Sequence, residues 1–273
     1  MIANQAQPTN EGIPCLPVVR TLGGCGGTLL TRFFGALSGT VVLSESNPRS
    51  AALYGGFLNP IRQIQDWHPD LRDSIAGFDY HEIGYPPRFG EMLERLYAAV
   101  KAKRLTLIIR DYNYVDFIGI PYLWPVPGDF SLDISVAGRF HIREFLFVRS
   151  PAAQLASLRT HGALKNILTA GHFLESYQAF LAAKPNTPIF RYEDFVAKPG
   201  ATFQKMCATL GIRFEPTVLE RYSAVDAVTG NLMRNAESSI ALPEPSEAAR
   251  QAESELRKLP SYGGLLDALG YRS

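Results

Sequence analysis

Gly23-Gly24-Cys25-Gly26-Gly27 sets four glycines around one cysteine, with Thr28 and Leu29 directly behind. Glycines let a backbone approach a ligand closely, several N–H groups converge, and a helix opening at Thr28 adds its dipole. Residues Gly23 to Thr28 are therefore a candidate seat for a phosphate-type anion. A nucleoside-triphosphatase loop needs Lys and then Ser/Thr after its last glycine, and here Gly27 runs straight into Thr28-Leu29. Other chemically capable residues stand where apolar runs end. Ser44-Glu45 follows Val41-Val42-Leu43, and Arg110-Asp111 follows Leu105 to Ile109. Arg149 follows Phe145 to Val148, with Ser157 eight residues further on, and Arg191-Tyr192-Glu193-Asp194 follows Pro188-Ile189-Phe190. Arginine offers a two-pronged fork to a phosphate monoester, serine a neutral donor, and a carboxylate can accept a proton. Cys25 reads as a small residue filling a serine-like slot rather than an activated thiol. The five histidines (His68, His81, His141, His161, His172) show no close metal-ligand spacing.

These residues need elements to hold them. The apolar run Leu16 to Leu22 reads as a buried strand, and Leu29, Leu30, Phe33, Phe34 and Leu37 lie on one face of a helix over 28–37. Further strands are expected at 41–43, 105–110, 145–148 and 188–190. The run at 105–110 is almost without polar interruption, the mark of a central parallel strand. Helices are expected after Pro86-Pro87, from Pro151, over 173–183, over 202–210 stopped at Gly211, and over 246–259 with Ser246 as N-cap. Residues 49–86 mix helix and loop signals, and 112–130 reads as a loop rich in aromatics and prolines. Alternating strands and helices predict a three-layer α/β/α domain with a central parallel sheet. In such sheets ligands sit at the carboxyl ends of the strands, which would bring the glycine loop, Glu45, Arg110-Asp111 and Arg149 to one rim.

Length and composition set bounds. The 273 residues suit one large domain, read as a flexible leader over 1–14 and a single α/β domain over 15–273. A hydrophobic content of 46% is ample for a core, and a net charge of +1 gives no global argument for nucleic acid. Three cysteines, few and odd in number, argue against a disulfide framework and for a reducing compartment. No apolar run approaches the roughly 20 residues that span a bilayer. A cytoplasmic location is the expectation.

Order and spacing of these motifs resemble the sulfotransferases that use 3′-phosphoadenosine 5′-phosphosulfate (PAPS), in a bacterial-type form with features of protein-tyrosine sulfotransferases. The resemblance covers roughly residues 16 to 215 and implies their P-loop-like fold. It implies that Gly26-Gly27-Thr28, matching the family's Gly-Thr-Thr, holds the 5′-phosphosulfate, and that Arg149 and Ser157 hold the 3′-phosphate. Gly23, Gly24, Cys25, Leu29 and Tyr192 would complete the donor site, and Arg234 would add a late basic contact. Glu45, 17 residues after Thr28, falls where protein-tyrosine sulfotransferases carry the glutamate read as catalytic base. Asp111 is a second candidate base, and Arg110 a candidate stabiliser of the sulfuryl group. One departure matters: the loop's usual Lys or Arg is Gly24 or Cys25 here, so Arg20, Arg32 or Arg110 would have to supply that charge. The product would be adenosine 3′,5′-bisphosphate, with no metal required.

The acceptor implied is a small molecule or carbohydrate bearing a hydroxyl or amine. Tyr112, Tyr114, Phe117, Tyr122 and Trp124 either line its pocket or pack onto the core. Two rival readings stand: an atypical small-molecule kinase, which needs a cation at the γ-phosphate and a magnesium site, and a nucleotide-binding protein without turnover.

Overall fold

The computed structural model describes residues 12–53, 58–162, 164–230, 240 and 244–271. Most of the expected leader, residues 1–11, and the expected contact Arg234 lie outside the described residues.

Five strands form one sheet: β1 (Cys15–Thr21), β2 (Thr40–Leu43), β3 (Thr106–Tyr112), β4 (His141–Val148) and β5 (Ile189–Arg191). The order is β2-β3-β1-β4-β5, and every pairing is parallel. Parallel strands need crossovers, and the helices that make them bury both faces, which is why β1 and β3 are buried almost throughout. The first half of β4 is more exposed and polar, so its strand character is legible only from Phe145 onward.

On one face lie α1 (Gly27–Gly35), α9 (Tyr192–Ala197) and α10 (Pro199–Leu210), packing Phe33, Phe195 and Phe203 against Val19, Ile108 and Phe145. The other face carries α4 (Pro86–Ala102), whose Phe89, Leu93 and Leu96 meet Val18, Leu107 and Ile109. Beside it, α7 (Pro151–Arg159) and α8 (Ala170–Ala182) cover Leu146 and Val148, backed by α12 (Glu247–Leu256) and α13 (Tyr262–Ala268). These three layers are the predicted α/β/α architecture.

Several boundaries have plain chemical causes. Gly211 ends α10 at φ 69°, a left-handed C-cap. Ser246 Oγ accepts from Ala249 N at 3.1 Å and caps α12. The ambiguous 49–86 stretch contains α2 (Pro48–Leu53) and α3 (Pro60–Trp67), the latter capped by Asn59, with 3₁₀ turns at Pro69–Ile75 and Glu82–Gly84. The aromatic loop holds one helical turn, α5 (Tyr114–Phe117), before α6 (Ser131–Val136), and a short α11 (Val218–Arg221) follows α10. None of the described helices is long and apolar enough to cross a membrane.

Strand order creates the site. From β1 the chain goes first to β2 and β3 on one side, then to β4 and β5 on the other. The connections diverge at the carboxyl end of β1, the switch point where doubly wound sheets open a crevice.

Candidate active site

The loop leaving β1 occupies that crevice. Gly24 (φ 78°) and Gly26 (φ 89°) take left-handed conformations, and Gly26 is the N-cap of α1 without any side-chain cap. Among the described residues, the amides of Gly24, Cys25, Gly26 and Thr28 donate to no backbone carbonyl. Uncapped amides at the positive end of a helix dipole make an anion seat. A Cβ on Gly26 would collide with the Tyr192 ring, and one on Gly27 with the Arg110 guanidinium. Cys25 is buried among apolar neighbours, and burial pushes its thiol up to about 11, so it packs as a neutral group. Leu29 is half-buried against the same cluster, its amide already donating to Gly26 O at 3.1 Å.

On one flank of the loop stands Arg149, one residue past β4. Its Nη1 donates to Gly24 O at 3.3 Å, and its guanidinium lies 4.8 Å from the Tyr192 ring centroid. Ser157, two turns into α7, sits against Gly24: a Cβ there would lie 3.4 Å from that of Ser157. Gln154 ties the same helix to the loop, its Nε2 donating to Gly23 O at 2.8 Å. Arg149, Ser157 and Tyr192 thus gather around Gly24 and Gly26. Glu193 faces elsewhere, accepting from Ser150 N at 3.0 Å and from the Tyr271 hydroxyl at 2.5 Å.

On the other flank, Arg110 and Glu45 meet. Both Nη atoms of Arg110 lie 3.3 Å from Glu45 Oε1, and Nη2 also donates to Ser44 Oγ at 2.9 Å and Thr229 Oγ1 at 3.0 Å. Among the described residues, the buried Arg110 Nε has no hydrogen-bond partner. Thr28 Oγ1 donates to Thr229 O at 2.9 Å, so Thr229 lies over the start of α1. Glu45 has φ 53°, a left-handed backbone that a non-glycine residue adopts at a cost.

Of the three arginines proposed to replace the missing loop cation, only Arg110 lies at the loop. Arg20 is fully buried with Asp111, Asp133 and Glu144, and Arg32 donates to Ser223 O at 3.0 Å. Asp111 is not brought to the site either. Successive strand residues point to opposite faces, so Asp111 turns away from Arg110's side of the sheet. It is 0% exposed, accepting from Arg20, Asn47 and Asn113. The aromatic loop divides: Tyr114 and Phe117 enter the core, while Tyr122 and Trp124 are exposed. Sequence reasoning missed Gln154 and Thr229. Gln154 lies inside the Arg149-to-Ser157 stretch with no distinguishing signal, and Thr229 is remote from everything it touches.

No protein-family model matches this chain, and no curated protein matches it. Among solved structures, the sulfotransferase domain from the Synechococcus PCC 7002 olefin synthase superposes with a TM-score of 0.55 at 19% identity. The match covers 94% of this chain and 100% of that domain. The sulfotransferase domain from the curacin biosynthetic pathway aligns over 90% of this chain and 98% of its own length, with a TM-score of 0.47 and 15% identity. The first likeness shows that this chain has the sulfotransferase fold; at such identity it is the fold alone that is shared.

Proposed function

We propose that this protein is a sulfotransferase, moving a sulfuryl group from PAPS to a hydroxyl or amine of a small-molecule or carbohydrate acceptor. One observation carries the reading: two separate sets of hydrogen-bond donors, each suited to an anion, and a carboxylate–arginine pair meet at the switch point. The uncapped amides of the glycine loop suit a phosphosulfate, and the Arg149 fork with the Ser157 hydroxyl suits a phosphate monoester. The Arg110 Nε, buried with no partner among the described residues, fits a loop whose surroundings are arranged for an anionic group.

PAPS, when bound, supplies an electrophilic sulfur with a phosphate leaving group. Glu45 is the candidate base, its carboxylate accepting the proton that the acceptor must lose. Arg110, against Gly27, supplies the positive charge that the loop itself lacks, and its contacts with Ser44 and Thr229 hold it there. A preplaced charge of this kind is worth roughly 100-fold or more in rate, so its position is central to the reading.

The test is a thermal shift with adenosine 3′,5′-bisphosphate, ATP and AMP, run without magnesium and again with it, on wild type and Arg149→Ala. A ligand at 100 times its dissociation constant adds about 2.7 kcal/mol, which a melting curve resolves. Stabilisation by the bisphosphate alone, lost in Arg149→Ala, is the expected result. A response only to ATP with magnesium would favour the kinase reading, and no response at all would remove the donor site.

A further inference from the structure

Glu45 holds a conformation that its own residue type disfavours, so its neighbours must impose it. Each side of it is fastened. Before it, the side-chain amide of Gln63 grips the backbone of Ser44 twice: Ser44 N donates to Gln63 Oε1 at 2.8 Å, and Gln63 Nε2 donates to Ser44 O at 2.5 Å. Those two bonds hold Ser44, the residue directly after β2, by both its backbone polar groups. After Glu45, Ser46 N donates to Arg110 O at 3.0 Å. The next residue, Asn47, is 0% exposed and uses its whole side chain. Its Oδ1 accepts from Arg49 N at 3.0 Å, Ser50 N at 3.2 Å and Ser131 Oγ at 3.1 Å. Its Nδ2 donates to Asp111 Oδ1 at 2.9 Å and Asp116 Oδ2 at 2.8 Å.

Helix capping explains only half of Asn47. An oxygen acceptor suffices for α2, and serine or aspartate would serve as well. The Nδ2 half does something a cap does not need: it ties the chain, two residues past Glu45, to carboxylates on β3 and in α5. Consecutive residues of β3 therefore act on both faces of the sheet. The Arg110 side chain meets the Glu45 carboxylate, and the Asp111 side chain anchors the turn from behind.

We propose that Gln63 and Asn47 are positioning residues for Glu45, imposing its left-handed backbone from both sides so that the carboxylate stands beside Arg110. The proposal rests on the reading of Glu45 as the base. Neither amide touches the glycine loop; Gln63 also steadies Ser44, whose hydroxyl holds Arg110, so the backbone of Glu45 is the readout that separates the two routes.

Two conservative variants test it. Asn47→Ser keeps a capping oxygen and removes the donor to Asp111 and Asp116. Gln63→Glu keeps the acceptor for Ser44 N and donates to Ser44 O only when protonated. Three quantities are measured: the φ of Glu45 in crystals, bisphosphate affinity by calorimetry, and kcat and KM for PAPS with 4-nitrophenol as probe acceptor across the pH range. Expected are an affinity within about twofold of wild type, a kcat reduced by roughly 100-fold, and a Glu45 backbone that leaves the left-handed region. The kcat deficit of Gln63→Glu relative to wild type should shrink as the pH falls, because the protonated carboxyl of that variant can again donate to Ser44 O. A Glu45 that keeps its φ in both variants, with kcat unchanged, overturns the proposal. A wild type that neither binds the bisphosphate nor turns over PAPS sinks the functional reading instead, and the bracket is then judged by the backbone of Glu45 in the same crystals.

Discussion

Two arginines flank the glycine loop, and their surroundings assign them different tasks. Arg149 reaches the loop with one Nη and rests on the Tyr192 ring, leaving the remaining donors of its fork for a ligand. Arg110 is 4% exposed and clamped by Ser44, Thr229 and Glu45, so it is a fixed charge. Arg110→Lys separates charge from geometry, because an ammonium cannot span three acceptors as a planar fork does. The expected outcome is a loss of roughly 100-fold in turnover, with bisphosphate affinity changed by only about twofold. Single-turnover kinetics beside a binding titration would check it. An affinity loss as large as the rate loss would place Arg110 in ground-state binding and remove its special role.

At the scale of elements, the loop is a seam between β1, α7 and α9, and its glycines record how close those elements come. Gly26 combines φ 89° with a Tyr192 ring where a Cβ would be. Gly26→Ala should cost about 1–3 kcal/mol through backbone strain and displace the ring that Arg149 rests on. Urea unfolding and bisphosphate affinity should both fall, and Tyr192→Ala should relieve only the collision, making the pair non-additive. How much of this seam was legible in sequence follows from range. Gly23 to Thr28 and the Arg149–Ser157 spacing are local patterns, each written within one strand–helix junction. Arg110 was visible as a strand end, but its side of the sheet came from pairing register, which alone separates it from Asp111. Helix α9 was hidden because Tyr192-Glu193-Asp194 reads as the polar close of a strand. Thr229 was invisible: its contacts with Ser44 and Arg110 join residues more than a hundred positions apart, and no local pattern encodes them.

Across the whole molecule, the face of the sheet behind the site is held by buried charge. Among the described residues, this network has three cations (Arg20, Arg49, Lys184) against five carboxylates (Asp111, Asp116, Asp129, Asp133, Glu144). Asn47 and Asn113 each donate to both Asp111 and Asp116. Asp129 and Asp133 reach solvent, but Asp111 and Asp116 are fully buried, and two carboxylates crowded away from water favour taking up a proton. Burial, aided by Asp116 and opposed by Arg20, pushes Asp111 up to about 6. An unfolded aspartate titrates near pH 4, so between about pH 4 and 6 the folded chain holds more protons at this residue than the unfolded chain. Stability from this group is therefore fully present below about pH 4 and is lost as the pH rises through about 6. The protein should melt higher at about pH 5 than at about pH 7.5, by an amount on the order of 1 kcal/mol at this residue. Asp111→Asn should melt lower throughout, since its NH₂ faces donors that the carboxylate accepted, yet its melting curve should depend less on pH. The slope, not the absolute temperature, is the diagnostic: equal slopes in wild type and variant would mean that Asp111 stays ionised beside Arg20 at every pH tested.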